Sequence, residues 1–431
     1  MIQRELDRAL KRGFQTAYGG SFFLIPYLLH LDILNKVEIF NLGKQGGIPV
    51  EKAVLALMLM GIIGKKRVNR AKNVTDPGIA AFAGMGKLPD QSFFHAFLDR
   101  PKTLDVEQFI IACSKRFKGM GLYKGKCTNL DRHFMGYFGH KRIAKDWHPT
   151  RNRIMRGVNA SFTHDHETGD PVFVRADYPG LKPADVAIPM ITTTLEILGD
   201  DMETVVFDKW FSVGALLDFI NRELNIKYVT LLKLFQNRIK EMASIPADEF
   251  RDMADGRKIG FTHTNLRNYD GKARLVVVWF QEDGEDKYHG YLTNDEDTII
   301  EDIVQVYSKR WGIENFFKEL EFLNLDKLPS IELNKISMML AMKYLGYCIV
   351  SCFRRDLGES YSHCEIESIF EEFLNLQALV QSKGNTIHVN FYRYPQVLAE
   401  TFDDIDERFQ NVGLENRVPW LNNKRLQFNF K

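Results

Sequence analysis

Residues 298–321, TIIEDIVQVYSKRWGIENFFKELE, have the spacing of an amphipathic helix. Thr298, followed three residues later by Glu301, has the pattern of a capping box, which satisfies orphan amide donors of a first helical turn. Isoleucine, valine and aromatic residues then recur at helical spacing, no proline interrupts them, and Gly312 is the one weak position. Tyr307, Arg310, Trp311, Glu314, Lys318 and Glu321 are three, four or seven residues apart. At ~100° per residue they share an arc of roughly 100°, so one face carries an aromatic ring, a guanidinium and a carboxylate. On spacing alone this fits an ordinary salt-bridged helix face, with Arg310 and Glu314 as an i,i+4 pair.

Upstream the pattern changes to short strands. Residues 127–137 read as a strand with Asp131 inside it. Residues 159–164 and 171–176 read as two more, joined by a polar turn with Glu167, Gly169 and Asp170. His164 and His166 flank that turn and are predicted to be exposed turn histidines rather than a metal pair. A helix over 184–198 is followed by Thr204-Val205-Val206-Phe207, a buried strand ending at Asp208, then a helix over 212–224 and a strand over 228–232. About sixty residues then precede the 298–321 helix, with strand-like 274–280 and 288–293 around the acidic turn 282–286. Beyond it, 331–353 and 366–380 are predicted helices, and the tail is basic at Arg417, Lys424, Arg425 and Lys431. The sequence has no internal repeat or low-complexity segment.

Length and composition describe an ordered globular chain: 431 residues, 45% hydrophobic and 12% aromatic, enough for two or three domains. The apolar runs 53–63 and 338–353, the latter interrupted by Lys343, read as too short to span a bilayer. The opening residues, mixed in charge through Arg4, Glu5, Asp7, Arg8, Lys11 and Arg12, do not read as a secretory signal. Five scattered cysteines suit reduced core thiols, and Cys348 with Cys352 lacks the second pair that a zinc site needs. The net charge of +1 hides an asymmetry. Residues 1–156 carry 27 Lys and Arg against 12 Asp and Glu, and the remainder carries 30 against 44. Twelve of the basic residues fall within 115–156, interleaved with Phe117, Tyr123, Phe134, Tyr137, Phe138 and Trp147. A solvated surface accounts for such a block less well than a polyanion does, and nucleic acid is the preferred partner. Residues 1–120 read as helical, with a basic stripe at Lys65, Lys66 and Arg67. A glycine-containing turn then leads into a polar-fronted helix bearing Gln91, Ser92 and His95, the outline of a helix-turn-helix.

The run Tyr307-x-x-Arg310-Trp311-x-Ile313-Glu314 is similar to the signature around the catalytic glutamate of bacterial insertion-sequence DDE transposases, the group with a Tyr–Arg–Glu–Lys motif. The family's lysine position is Glu321 here, with Lys318 one turn earlier as the nearest replacement. The segment from Pro89 to Leu98 also looks like the one ahead of these enzymes' catalytic domain, and the strand–helix order resembles their ribonuclease-H-like fold. The fold class expected is therefore α/β, a ribonuclease-H-like mixed sheet flanked by helices. A β-rich insertion precedes the glutamate helix, and an all-helical DNA-binding region leads the chain. The implied domains are a DNA-end-binding region (1–120), a catalytic domain (121–325) with its insertion at about 235–296, and a C-terminal helical region with a basic tail (326–431).

Carried over position by position, the resemblance implies a catalytic, metal-holding triad of Asp131, Asp208 and Glu314. It would hold two Mg²⁺ (or Mn²⁺) ions ~4 Å apart, with Asp131 bridging them. Water would free a 3′ end, and that hydroxyl would attack target DNA. Tyr307 and Arg310, assisted by Lys318, would contact backbone phosphate, and Arg132, Lys141, Arg142 and Lys145 would line the DNA path. Trp311 fits core packing equally well. The expectation is a cut-and-paste transposase, a homodimer on double-stranded inverted-repeat ends and target DNA. It would work in the bacterial cytoplasm at the nucleoid, with no membrane. Two other readings stay open: a non-catalytic DNA-binding protein derived from a transposase, and a metal-dependent nuclease without strand transfer.

Overall fold

The computed structural model describes residues 2–64, 68–148, 151–310, 312–322, 328, 330–411 and 417–431. The chain opens with helices α1 (Ile2–Arg12), α2 (Ile25–Leu31), α3 (Ile33–Val37), α4 (Val50–Ile62), α5 (Pro77–Phe82), α6 (Gln91–Leu98) and α7 (Thr103–Gly119), with a short strand β1 (Phe14–Thr16) after the first. Strands β2 (Cys127–Gly136), β3 (Lys145–His148), β4 (Arg153–Asp165) and β5 (Pro171–Asp177) come next. Helix α8 (Pro183–Leu198), strand β6 (Thr204–Phe207), helix α9 (Gly214–Phe219) and strand β7 (Lys227–Leu231) follow. After α10 (Gln236–Ala243) the strands are β8 (Arg251–Asp252), β9 (Lys258–Thr264), β10 (Ala273–Glu282) and β11 (Glu285–Thr293), and then α11 (Ile300–Lys309). The remainder holds α12 (Gly312–Phe322), α13 (Leu333–Asp356), α14 (Glu359–Ser362), α15 (Ile366–Ile369), β12 (Ala378–Lys383), β13 (Thr386–Phe391), α16 (Gln396–Asn411), β14 (Arg417–Val418) and β15 (Lys424–Phe430). A helical region followed by a mixed sheet flanked by helices is the ribonuclease-H-like arrangement expected.

The chain divides into two compact units. One comprises Met1–Leu122, Met135–Val158 and Lys318–Lys431; the other comprises Tyr123–Phe134 and Asn159–Phe317. In the second, the strands lie in the order β5-β4-β2-β6-β7-β11-β10-β9-β8. β2, β6 and β7 pair in parallel, and β7, β11, β10 and β9 pair antiparallel. The strands inserted before α11 thus continue the central sheet through Tyr291↔Leu231 and Thr293↔Val229. α11 turns Ile300, Ile303, Val304 and Tyr307 onto Val206, Val229, Val276, Val278 and Tyr291, so the helix and both halves of the sheet share one core.

The long helix expected over 298–321 is interrupted. α11 ends at Lys309, where the Arg310 amide bonds the Tyr307 carbonyl in a tightened last turn. Gly312, whose missing Cβ favours no helix, opens α12. The shared arc is therefore split between two helices, and Trp311 lies outside the described residues. The capping box does not form either. Ile299 is the N-cap without a side-chain bond, while the Thr298 hydroxyl donates to Asp295 Oδ2 at 2.7 Å. Burial raises the Asp295 pKa, but Lys227 at 2.8 Å and the donors of Thr298 outweigh it and hold the carboxyl at about 2.

In the first unit α13 packs against α4 and α7, with Gly346 beside Ile62 and the Tyr344 hydroxyl 2.6 Å from that of Ser114. By length and composition α13 could cross a bilayer, contrary to the expectation from its sequence, but 94% of its apolar window is buried inside the fold. The helix expected over 366–380 stops at Leu374, and Val380 belongs to a strand. The C-terminal region is not simply helical: its strands join a five-stranded sheet, β1-β12-β13-β15-β14. Phe391 and Phe430 are register partners there, and both stack on Phe23.

Candidate functional site

The parallel register Cys127↔Thr204 to Leu130↔Phe207 decides where the carboxylates go. Val205, Val206 and Phe207 are wholly buried, so β6 is held in the sheet. The next residues along the two strands, Asp131 and Asp208, therefore stand side by side. The Asp208 side chain folds back to accept the Trp210 amide at 2.9 Å, and Thr230 donates to the Asp208 carbonyl at 3.2 Å.

Asp131 has both oxygens engaged. Oδ1 accepts the Arg132 amide at 2.7 Å, and Oδ2 accepts from Arg310 at 2.8 Å, with the two side chains only 17% and 11% exposed. The Arg310 guanidinium lies 5.4 Å from the centre of the Tyr307 ring, and Tyr307 is itself buried against Tyr291. Burial pushes the Asp131 carboxyl up to about 6, Arg310 works against that, and neighbouring Asp208 reinforces it. Burial also opposes the charge on Arg310, but Asp131, Tyr307 and Asp208 outweigh it and hold the guanidinium pKa above its usual value. The Tyr307 hydroxyl is pushed up to about 12, chiefly by burial. This is a closed pair of charges in which arginine supplies the cation.

The structure thus brings together Asp131, Asp208, Tyr307 and Arg310. Glu314 and Glu321 sit on α12, and their side chains lie outside the described residues; Lys318 on the same helix is exposed. Arg132 stacks on Trp210, 3.9 Å from the ring centre, a contact that no feature of the sequence signals. Beside it, Asp208, Trp210, Leu234, Phe235 and His289 line an open cleft of about 480 Å³. Lys141, Arg142 and Lys145 are exposed in the first unit, and Lys65, Lys66 and Arg67 lie outside the described residues.

The expected two-ion site is not formed among the described residues. Among the described residues, no group of three or more His, Cys, Asp or Glu could hold a metal ion. The donors present do not suit one: Asp131 has given one oxygen to an amide and the other to a guanidinium, and Asp208 has given one to an amide. The assignment of Mg²⁺ or Mn²⁺, and with it the hydrolysis and strand transfer expected of a DDE enzyme or metal-dependent nuclease, is corrected accordingly. The histidines are corrected too. His164 is fully buried in β4, its ring 4.3 Å from that of Phe316, and burial depresses its pKa to about 3. His166 is part-buried and bonds Asn129 Oδ1 through Nδ1 at 2.8 Å.

A mixed sheet with one aspartate inside a strand and a second just past the end of its parallel neighbour fits the ribonuclease-H-like fold. Residues 125–349, just over half of the chain, match the family described as Transposase DDE domain, and the chain belongs to that family. Among curated proteins nothing matches the chain. Among solved structures it is similar to a piggyBac transposase synaptic complex with hairpin DNA. The identity is 10% and the TM-score 0.49, covering 92% of this chain and 84% of that one.

Proposed function

We propose that this chain is a DNA-binding protein of the transposase DDE family that holds duplex DNA without two-ion chemistry. The Asp131–Arg310 pair carries the proposal, because a guanidinium at 2.8 Å takes the place beside the first aspartate where a divalent ion would be needed. Family membership and the excess of basic residues in 1–156 support DNA as the partner. The Tyr307–Glu314 run supports descent from a bacterial insertion-sequence transposase, and with it a homodimer holding inverted-repeat ends in the cytoplasm. In this reading residues 1–120 form the end-binding region. Lys65, Lys66, Arg67, Arg132, Lys141, Arg142 and Lys145 meet phosphate.

Fluorescence anisotropy of a labelled duplex with the full-length protein tests this, run once in chelator and once in Mg²⁺. The expected result is equal affinity in both, a log–log salt dependence with a slope of several units, and intact strands on a denaturing gel. Affinity that requires Mg²⁺, or Mg²⁺-dependent nicking, would overturn it.

A further inference from the structure

Within the first unit β3 pairs antiparallel with the outer end of β4 through Lys145↔Arg156, Asp146↔Met155, Trp147↔Ile154 and His148↔Arg153. Side chains alternate between the faces of such a ribbon. One face is turned inward, with Met155 buried and both Met155 and His148 close to Gly136. The other carries Lys145, Trp147, Ile154 and Arg156. Trp147 is 50% exposed and Ile154 67%, a cross-strand apolar pair set in solvent, and Phe138 beside the ribbon is 51% exposed with Arg151 over its ring. Large apolar side chains displayed together on the outward face of a two-stranded ribbon do nothing for its own folding. Residues 135–158 hold six Lys and Arg and a single acid, Asp146.

From this arrangement we infer that the β3–β4 ribbon is a duplex-DNA reading arm that enters the major groove with Trp147 and Ile154 leading and Lys145 and Arg156 flanking. A two-stranded ribbon matches the ~12 Å width of that groove, apolar side chains meet thymine methyl groups there, and the flanking cations reach phosphate. The charge of the segment selects a polyanion over a second copy of this chain, which carries the same cations on the same face. The inference rests on the DNA-binding reading above and adds which element inserts.

The test uses full-length protein and a fluorescein-labelled mixed-sequence duplex, titrated over a range of salt. The double variant Trp147→Ala, Ile154→Ala is expected to lose about tenfold in affinity at unchanged salt slope. Lys145→Gln, Arg156→Gln is expected to lower the slope by about two, and it carries the test alone should the apolar variant fail to fold. Wild-type affinity and slope in the cation variant would overturn the arm while leaving DNA binding in place. A change in sedimentation mass at unchanged DNA affinity would overturn it in favour of a contact between chains. Failure of the wild-type protein to bind duplex would instead overturn both readings.

Discussion

The Asp131 cluster and the β3–β4 ribbon use the same kind of cation in opposite ways. Arg310 is only 11% exposed, aimed at a carboxylate at 2.8 Å and set over the Tyr307 ring, so its charge is satisfied inside the fold. Lys145 and Arg156 lie on a ribbon face that also exposes Trp147 and Ile154. A buried cation is held by its desolvated partner and is insensitive to salt; an exposed one is screened and waits for a polyanion. The difference separates what the family resemblance would join: in the proposed reading the basic region attracts DNA independently of the aspartates.

The largest effect that could break this contrast is on stability. Arg310→Ala leaves Asp131 and Asp208 without their cation and should cost roughly 3 kcal/mol in chemical denaturation. Arg310→Lys should recover part of it, lacking the planar guanidinium. A loss near zero would mean that the pair is incidental. Next comes pH. The Asp131 carboxyl is raised to about 6 in the fold, so between about 4 and 6 the folded state holds the extra proton. That contribution to stability is full below pH 4 and is lost as pH rises through 6. His164 runs the other way. Its folded pKa is depressed to about 3, so its contribution is full above about 6.5 and is lost as pH falls towards 3. The two slopes oppose each other in wild type. Asp131→Asn should unmask the histidine slope and His164→Leu the aspartate slope in thermal melts, and identical profiles for the two variants would contradict this assignment. The smallest effect belongs to the ribbon, where Lys145→Gln alone should lower the DNA salt slope by about 0.9. A variant of the buried pair should leave that slope unchanged.

Much of the second unit was legible in the sequence because its strands and helices announce themselves locally. Thr204-Val205-Val206-Phe207 is short, β-branched and apolar, and it forms β6 at those residues. That Asp131 and Asp208 become neighbours depends on the parallel register of β2 and β6, a long-range fact that only the family resemblance anticipated. The bond from Arg310 to Asp131 is not readable in the sequence, because no local pattern marks a side chain that turns towards a strand 179 residues away. His164 reads as exposed because it lies near a turn, whereas β4 is covered on both faces at that end. The C-terminal sheet, where the sequence reads as helix, does carry a local signal. Residues 378–383 and 386–391 alternate buried and part-exposed side chains around Gly384, which has a positive φ of 57°, the mark of a hairpin. Helical periodicity read from 366 was carried past Leu374, where the helix ends.

The central claim, that arginine and not a divalent ion neutralises the paired aspartates, is tested most directly by titrating Mn²⁺ into the protein–duplex complex and following free Mn²⁺ by electron paramagnetic resonance. The expected result is the same free signal for wild type and for Asp131→Asn. Two stoichiometric Mn²⁺ ions bound by wild type and released in Asp131→Asn would contradict it.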